Sequence, residues 1–131
     1  MKLSPIALRR TATAASLVAG LAASGLAHAE NHGLILWIGD YGNQRLNLPG
    51  IDLDAQNARK IATAMGVPSQ NIKEVANAQL TRGNIANELG SLASRIKSGD
   101  KVFIYYSGHG HQTKGTSGAR CNESLVARGP D

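Results

Sequence analysis

Residues 101–112 read KVFIYYSGHGHQ. Val102, Phe103, Ile104, Tyr105 and Tyr106 are β-branched or aromatic, with Gly99-Asp100 before them and Ser107-Gly108 after. This pattern predicts a short strand. The apolar run is continuous rather than alternating, so the strand is expected to be covered on both faces, as in a parallel α/β sheet. Gly108 and Gly110 flank His109, which lets the backbone turn sharply and leaves the imidazole clear at the strand's C-terminal end. In open α/β sheets that edge is where ligands and chemistry sit.

Working back from this strand, a second apolar run, LILWIG at residues 34–39, predicts the first strand. A polar loop follows and closes with the turn signal Leu48-Pro49-Gly50. Asp52 or Asp54 then opens a helix that ends at Met65, before Gly66 and Pro68. Its expected core face is Ala55, Ala58, Ile61, Ala62 and Met65. Residues 72–76 form a weaker strand, interrupted by Lys73 and Glu74. Thr81 caps a second helix that runs to about Lys97, with Ile85, Leu89, Leu92 and Ile96 on one stripe. The order is β-α-β-α-β. Short connections through helices make the strands parallel. The predicted fold class is α/β, a three-layer Rossmann-like sandwich of which this is the N-terminal half. Residues 113–131 read as a Gly/Ser/Thr-rich loop and a short ESLVA segment.

The N-terminus has a different character. Lys2, Arg9 and Arg10 precede an uncharged alanine-rich run over residues 12–26, and Ala27-His28-Ala29 is a small-x-small cleavage pattern. Residues 1–29 are therefore expected to be a signal peptide, with cleavage before Glu30 and export to the periplasm or outside the cell. The Arg9-Arg10 pair is only a weak hint of twin-arginine export. Without the leader, eleven Lys and Arg face nine Asp and Glu, so the basicity of the chain belongs largely to the leader. No basic cluster with interleaved aromatics remains, which argues against a nucleic-acid partner. No membrane association is expected once the leader is removed. Residues 30–131 make one small domain, and the single cysteine, Cys121, permits no intrachain disulfide.

Four features could carry chemistry. His109 is a candidate general base, because an imidazole titrates near neutrality. His109-Gly110-His111 presents two imidazoles, but no Cys, His or carboxylate stands at a usual spacing to complete three or four ligands, so no metal site is expected. Cys121 could be an activated thiol, yet it lies twelve residues beyond His109 in what reads as a loop. Asp52 and Asp54 suit a helix start through capping and the helix dipole; either carboxylate could alternatively bind a cationic substrate group. The turns hold no phosphate-loop pattern.

These stretches resemble one family. Tyr105-Tyr106-Ser107-Gly108-His109-Gly110 is similar to the catalytic-histidine strand of the caspase-like cysteine peptidases, most of all the bacterial metacaspase branch. Residues 34–39 resemble that family's first strand, residues 48–57 (LPGIDLDAQN) its loop-to-helix segment, and residues 122–127 (NESLVA) the segment after the histidine loop. The resemblance implies a caspase-like sandwich and hydrolysis of peptide bonds after Arg or Lys by a Cys–His dyad acting on protein or peptide substrates. It implies that His109 is the general base, that the Gly110 N–H helps to bind the oxyanion, and that Ser107 and Asp54 line the pocket for the residue before the scissile bond. Asp52 is a neighbour that could serve in place of Asp54. Calcium is a cofactor that the resemblance allows. In caspases the nucleophile lies about 50 residues after the histidine, which would fall past residue 131, so the role is not carried onto Cys121. The pattern departs at Ala127-Arg128-Gly129-Pro130-Asp131. Two expectations follow for the chain: the N-terminal half of an exported peptidase, or a remnant without its nucleophile that serves as a binding module.

Overall fold

A computed structural model describes residues 29–115 and 121–129. The expected leader lies outside the described residues except for Ala29, as do Pro130 and Asp131. The α/β class holds. Strand β1 (Asn31–Trp37), helix α1 (Ile51–Ala64), strand β2 (Ile72–Ala76), helix α2 (Arg82–Arg95) and strand β3 (Lys101–Ser107) follow in that order. The sheet order is β2-β1-β3, and both pairings are parallel. The β1–β3 register runs from Asn31 opposite Lys101 to Trp37 opposite Ser107. No helix of the described residues is long and apolar enough to cross a membrane.

The period-two alternation of β1 divides the core between the faces of the sheet. Leu34, Leu36 and Ile38 pack with Val75, Leu80 and Leu92, so α2 covers that face. Ile35 packs with Ala55 and Ala58 of α1 on the other, against Trp37, Phe103 and Tyr105. Helices thus lie on both faces. Leu34, Ile35, Leu36 and Ile38 are at most 1% exposed, and full burial of such side chains contributes roughly 1.5–3 kcal/mol each.

The strand buried on both faces is therefore β1, not β3. Placing β1 in the centre leaves β3 at an edge of the sheet. Val102 is 38% exposed and Ile104 53%. The same geometry corrects the helix stripes. Small side chains let α1 approach the sheet closely, and Ala55, Ala58 and Ala62 are buried, whereas Ile61 and Met65 are exposed. On α2 only Leu92 is fully buried; Leu89 and Ile96 are exposed.

The helix ends follow from their residues. Gly50 occupies the N-cap of α1 at φ 86° and supplies no side-chain cap. Neither Asp52 nor Asp54 is that cap; both stand in the first turn, where the helix dipole favours a carboxylate. Gly66, at φ 82°, ends the helix. Its N–H donates to Thr63 and the Val67 N–H to Ala62, which satisfies the last carbonyls. Thr81 caps α2 by accepting from the Asn84 N–H at 3.2 Å. Residues 113–131 are not simply loop. Strands β4 (Gly110–Lys114) and β5 (Cys121–Leu125) pair antiparallel, so the turn after β3 opens directly into a hairpin.

The contrast between β1 and β3 gives a stability test. Leu36→Ala is expected to cost about 2–5 kcal/mol through lost burial and a cavity. Ile104→Ala, on the uncovered face, should cost under about 1 kcal/mol. Urea denaturation of both variants measures the difference.

Candidate active site

The site forms where the C-terminal ends of all three parallel strands meet. The β1–β3 ladder continues to its rim, where the Ile38 N–H donates to the Ser107 carbonyl at 2.9 Å. After β2, Asn77 takes a left-handed conformation, φ 48°, which Asn tolerates better than most residues. Its Oδ1 accepts from both the Gly39 and Asp40 N–H groups at 2.9 Å, tying the end of β2 to the turn after β1. The Leu48 N–H donates back to the Gly39 carbonyl at 2.8 Å, and the Tyr41 N–H to Asn47 Oδ1 at 2.8 Å. These bonds close residues 39–48 into a compact loop over the end of β3.

That loop presents two groups to His109. The buried Tyr41 hydroxyl accepts from the His109 backbone N–H at 2.7 Å, and the two rings lie 4.9 Å apart in a tilted arrangement. The Leu46 carbonyl lies 2.8 Å from His109 Nε2. A carbonyl oxygen only accepts, so Nε2 carries the proton. In the neutral ring Nδ1 then holds the free lone pair. The loop therefore selects the tautomer and leaves the Nδ1 lone pair free.

Tyr106 holds the other side of His109. Its hydroxyl lies 2.9 Å from the Val126 carbonyl and 3.0 Å from the His109 carbonyl. The Tyr41 hydroxyl lies 3.3 Å from that of Tyr106, and either oxygen can donate to the other. The chain runs from the His109 N–H through Tyr41 and Tyr106 to the backbone, each bond polarising the next. The Val126 N–H returns to the His109 carbonyl at 3.0 Å, and the Arg128 N–H reaches the Leu80 carbonyl at 2.8 Å. The segment after β5 is thus bound to both the histidine turn and the end of β2.

The two glycines beside His109 have different reasons. A Cβ at Gly108 would lie 2.5 Å from the Tyr106 hydroxyl and 2.7 Å from that of Tyr41. The phenols can meet only across a bare backbone. A Cβ at Gly110 would come no closer than 3.8 Å to any other group, the Ser124 carbonyl. Packing therefore requires glycine at 108 and not at 110. Gly110 opens β4 opposite Leu125.

Ser107 and Asp54 come together at the last residue of β3. Ser107 Oγ donates to Asp54 Oδ2 at 2.7 Å. Asp52 is exposed and Asp54 half-buried, so the structure separates two carboxylates that the sequence left equivalent. Cys121 lies apart from the site, opposite Lys114 in a register that places Leu125 opposite Gly110. Four residue steps of strand span about 13 Å, far beyond the 2.6–3.2 Å or so needed for direct proton transfer. His111 stands on β4 opposite Ser124. Among the described residues no group of three His, Cys, Asp or Glu side chains gathers.

Three contributors escaped the sequence reading. The Leu46 carbonyl is backbone and carries no side-chain signal. Tyr41 and Tyr106 read as loop and strand residues; only the β1–β3 pairing brings their hydroxyls together.

The family model for the Caspase domain matches residues 31–127. The chain belongs to that family of cysteine peptidases. The match ends at Ala127. No curated protein and no solved structure matches the chain.

Burial, together with the neighbouring Tyr41 hydroxyl, holds the Tyr106 phenol well above its ordinary range. A group raised in the folded state stabilises the protein fully below its unfolded pKa, about 10 for Tyr, and loses that contribution as pH rises towards the folded value. Stability should therefore fall as pH climbs above about 10. Tyr106→Phe should lose about 1 kcal/mol at neutral pH and show a shallower alkaline decline. Denaturation midpoints between about pH 8 and 11 test both.

Proposed function

We propose that the chain supplies the base and the substrate pocket of a Cys–His endopeptidase of the metacaspase branch, cleaving after Arg or Lys. The observation that carries this reading is the Nε2–H to Leu46 bond, which leaves His109 Nδ1 free. In this reading Nδ1 takes the proton of a cysteine thiol. The thiolate attacks the scissile carbonyl, and the imidazolium returns the proton to the leaving amine. The Gly110 N–H stabilises the oxyanion. The Asp54 carboxylate, oriented by Ser107, pairs with the guanidinium or ammonium of the residue before the cleaved bond. The nucleophile comes from outside the described residues, because the hairpin register sets Cys121 about 13 Å along from Gly110. The same separation favours a second reading for the chain by itself, a module that binds basic peptides without cleaving them. The leader motif supports export, which would place the protein in the periplasm or outside the cell.

Peptides ending in Arg or Lys should perturb the NMR resonances of Asp54, Ser107 and His109 saturably, and peptides ending in Glu should not. Asp54→Asn should weaken basic-peptide binding roughly tenfold, equivalent to about 1.4 kcal/mol. Equal binding of both peptide classes would contradict the basic specificity. In parallel, purified chain should not hydrolyse the matching fluorogenic peptides, with or without calcium. Hydrolysis abolished by Cys121→Ala would overturn the exclusion of that thiol.

A further inference from the structure

At the opposite end of the sheet from His109, one carboxylate gathers the chain. Asp100 Oδ1 accepts from the Glu30 backbone nitrogen at 2.8 Å, and Oδ2 accepts from the Lys97 N–H at 2.8 Å. The Lys101 N–H closes the circuit on the Glu30 carbonyl at 3.3 Å. The Asp100 side chain is only 4% exposed. Its pKa is lowered by the Lys97 and Glu30 amides, so it is ionised at neutral pH. Among the described residues its cationic partner is His32, whose Nε2 lies 3.4 Å from Oδ2 and which is charged only when protonated. Among the described residues neither ring nitrogen of His32 makes a well-aligned hydrogen bond. While His32 is neutral, the nearly buried carboxylate is held by amides and lacks the opposite charge that such groups ordinarily find.

The nitrogen on Asp100 Oδ1 is the one that cleavage after Ala27-His28-Ala29 would release. We propose that the Ala29–Glu30 bond is a processing site, and that the freed Glu30 α-ammonium remains on Asp100 as a buried ion pair that locks β1 to the loop before β3. The proposal rests on the export reading and adds a consequence for the folded protein. The chemistry is hydrolysis by an endopeptidase that recognises small residues. Water adds across the C–N bond, leaving a carboxylate on Ala29 and an ammonium on Glu30. No atom has to travel, because the nitrogen already sits 2.8 Å from the carboxylate. Cleavage converts an amide-to-carboxylate hydrogen bond into one between two oppositely charged groups and supplies a full positive charge. The other titratable groups in the segments meeting here are the Glu30 carboxylate, His32, Lys97 and Lys101. Of these, only His32 lies within ion-pair distance of Asp100 among the described residues.

The test expresses the full chain with its leader in an exporting host. Intact mass should show a protein beginning at Glu30. NMR titration of its α-amine should give a pKa at least one unit above the ordinary value of about 8. Acylation of that amine at neutral pH should be roughly tenfold slower than in Asp100→Asn. A terminus elsewhere would overturn the processing site. A Glu30 terminus with an ordinary pKa would overturn the ion pair while leaving export intact. The wild-type titration decides the pairing even if Asp100→Asn fails to fold.

Discussion

His109 is held by its backbone on both sides and by its ring. Its N–H is bound by Tyr41, its carbonyl by Tyr106 and the Val126 N–H, and its Nε2–H by the Leu46 carbonyl. The partners come from three parts of the chain: the loop after β1, strand β3 itself and the segment after β5. The base proposed for this site is useful only if its lone pair stays pointed at one place. Here the ring is held by a backbone carbonyl that a substitution cannot easily remove. The cost is steric. Residue 108 has to be bare, because two phenols occupy the space where its side chain would stand.

The sheet exists to bring those partners together. Strand β1 carries the core on both faces, so its C-terminal end is rigid and the loop it launches starts from a fixed point. Asn77 ties that start to the end of β2 by accepting two amides at once. Losing that acceptor would strand two backbone donors, at about 1–3 kcal/mol for each one left buried. The edge strand β3 is less deeply packed, yet it delivers Ser107 and His109 because its ladder with β1 runs unbroken to Ser107. Deep packing in the centre and chemistry at the rim are thus complementary parts of one design.

Much of this was legible in the sequence. The β-α-β-α-β order, the Thr81 cap and the position of His109 at a strand end all follow from local residue chemistry. Burial was less legible. Residues 101–106 form the most apolar-looking strand, but pairing order is a tertiary property, and it puts β1 in the centre and exposes Val102 and Ile104. The choice of Asp54 over Asp52 needed the helix phase against β3. The hairpin of β4 and β5 was hidden because GHQTK and CNESL carry few strand-forming residues. The Leu46 carbonyl had no signal at all, since every residue has one and only the fold decides which one is aimed.

The central claim is that the loop after β1 fixes His109 with its proton on Nε2 and its lone pair on Nδ1. The direct measurement is a nitrogen-15 NMR spectrum of the His109 ring in the full chain, at a pH where the imidazole is neutral. A protonated Nε2 and a bare Nδ1 are expected. A bare Nε2 with a protonated Nδ1, or rapid exchange between the two tautomers, would contradict it.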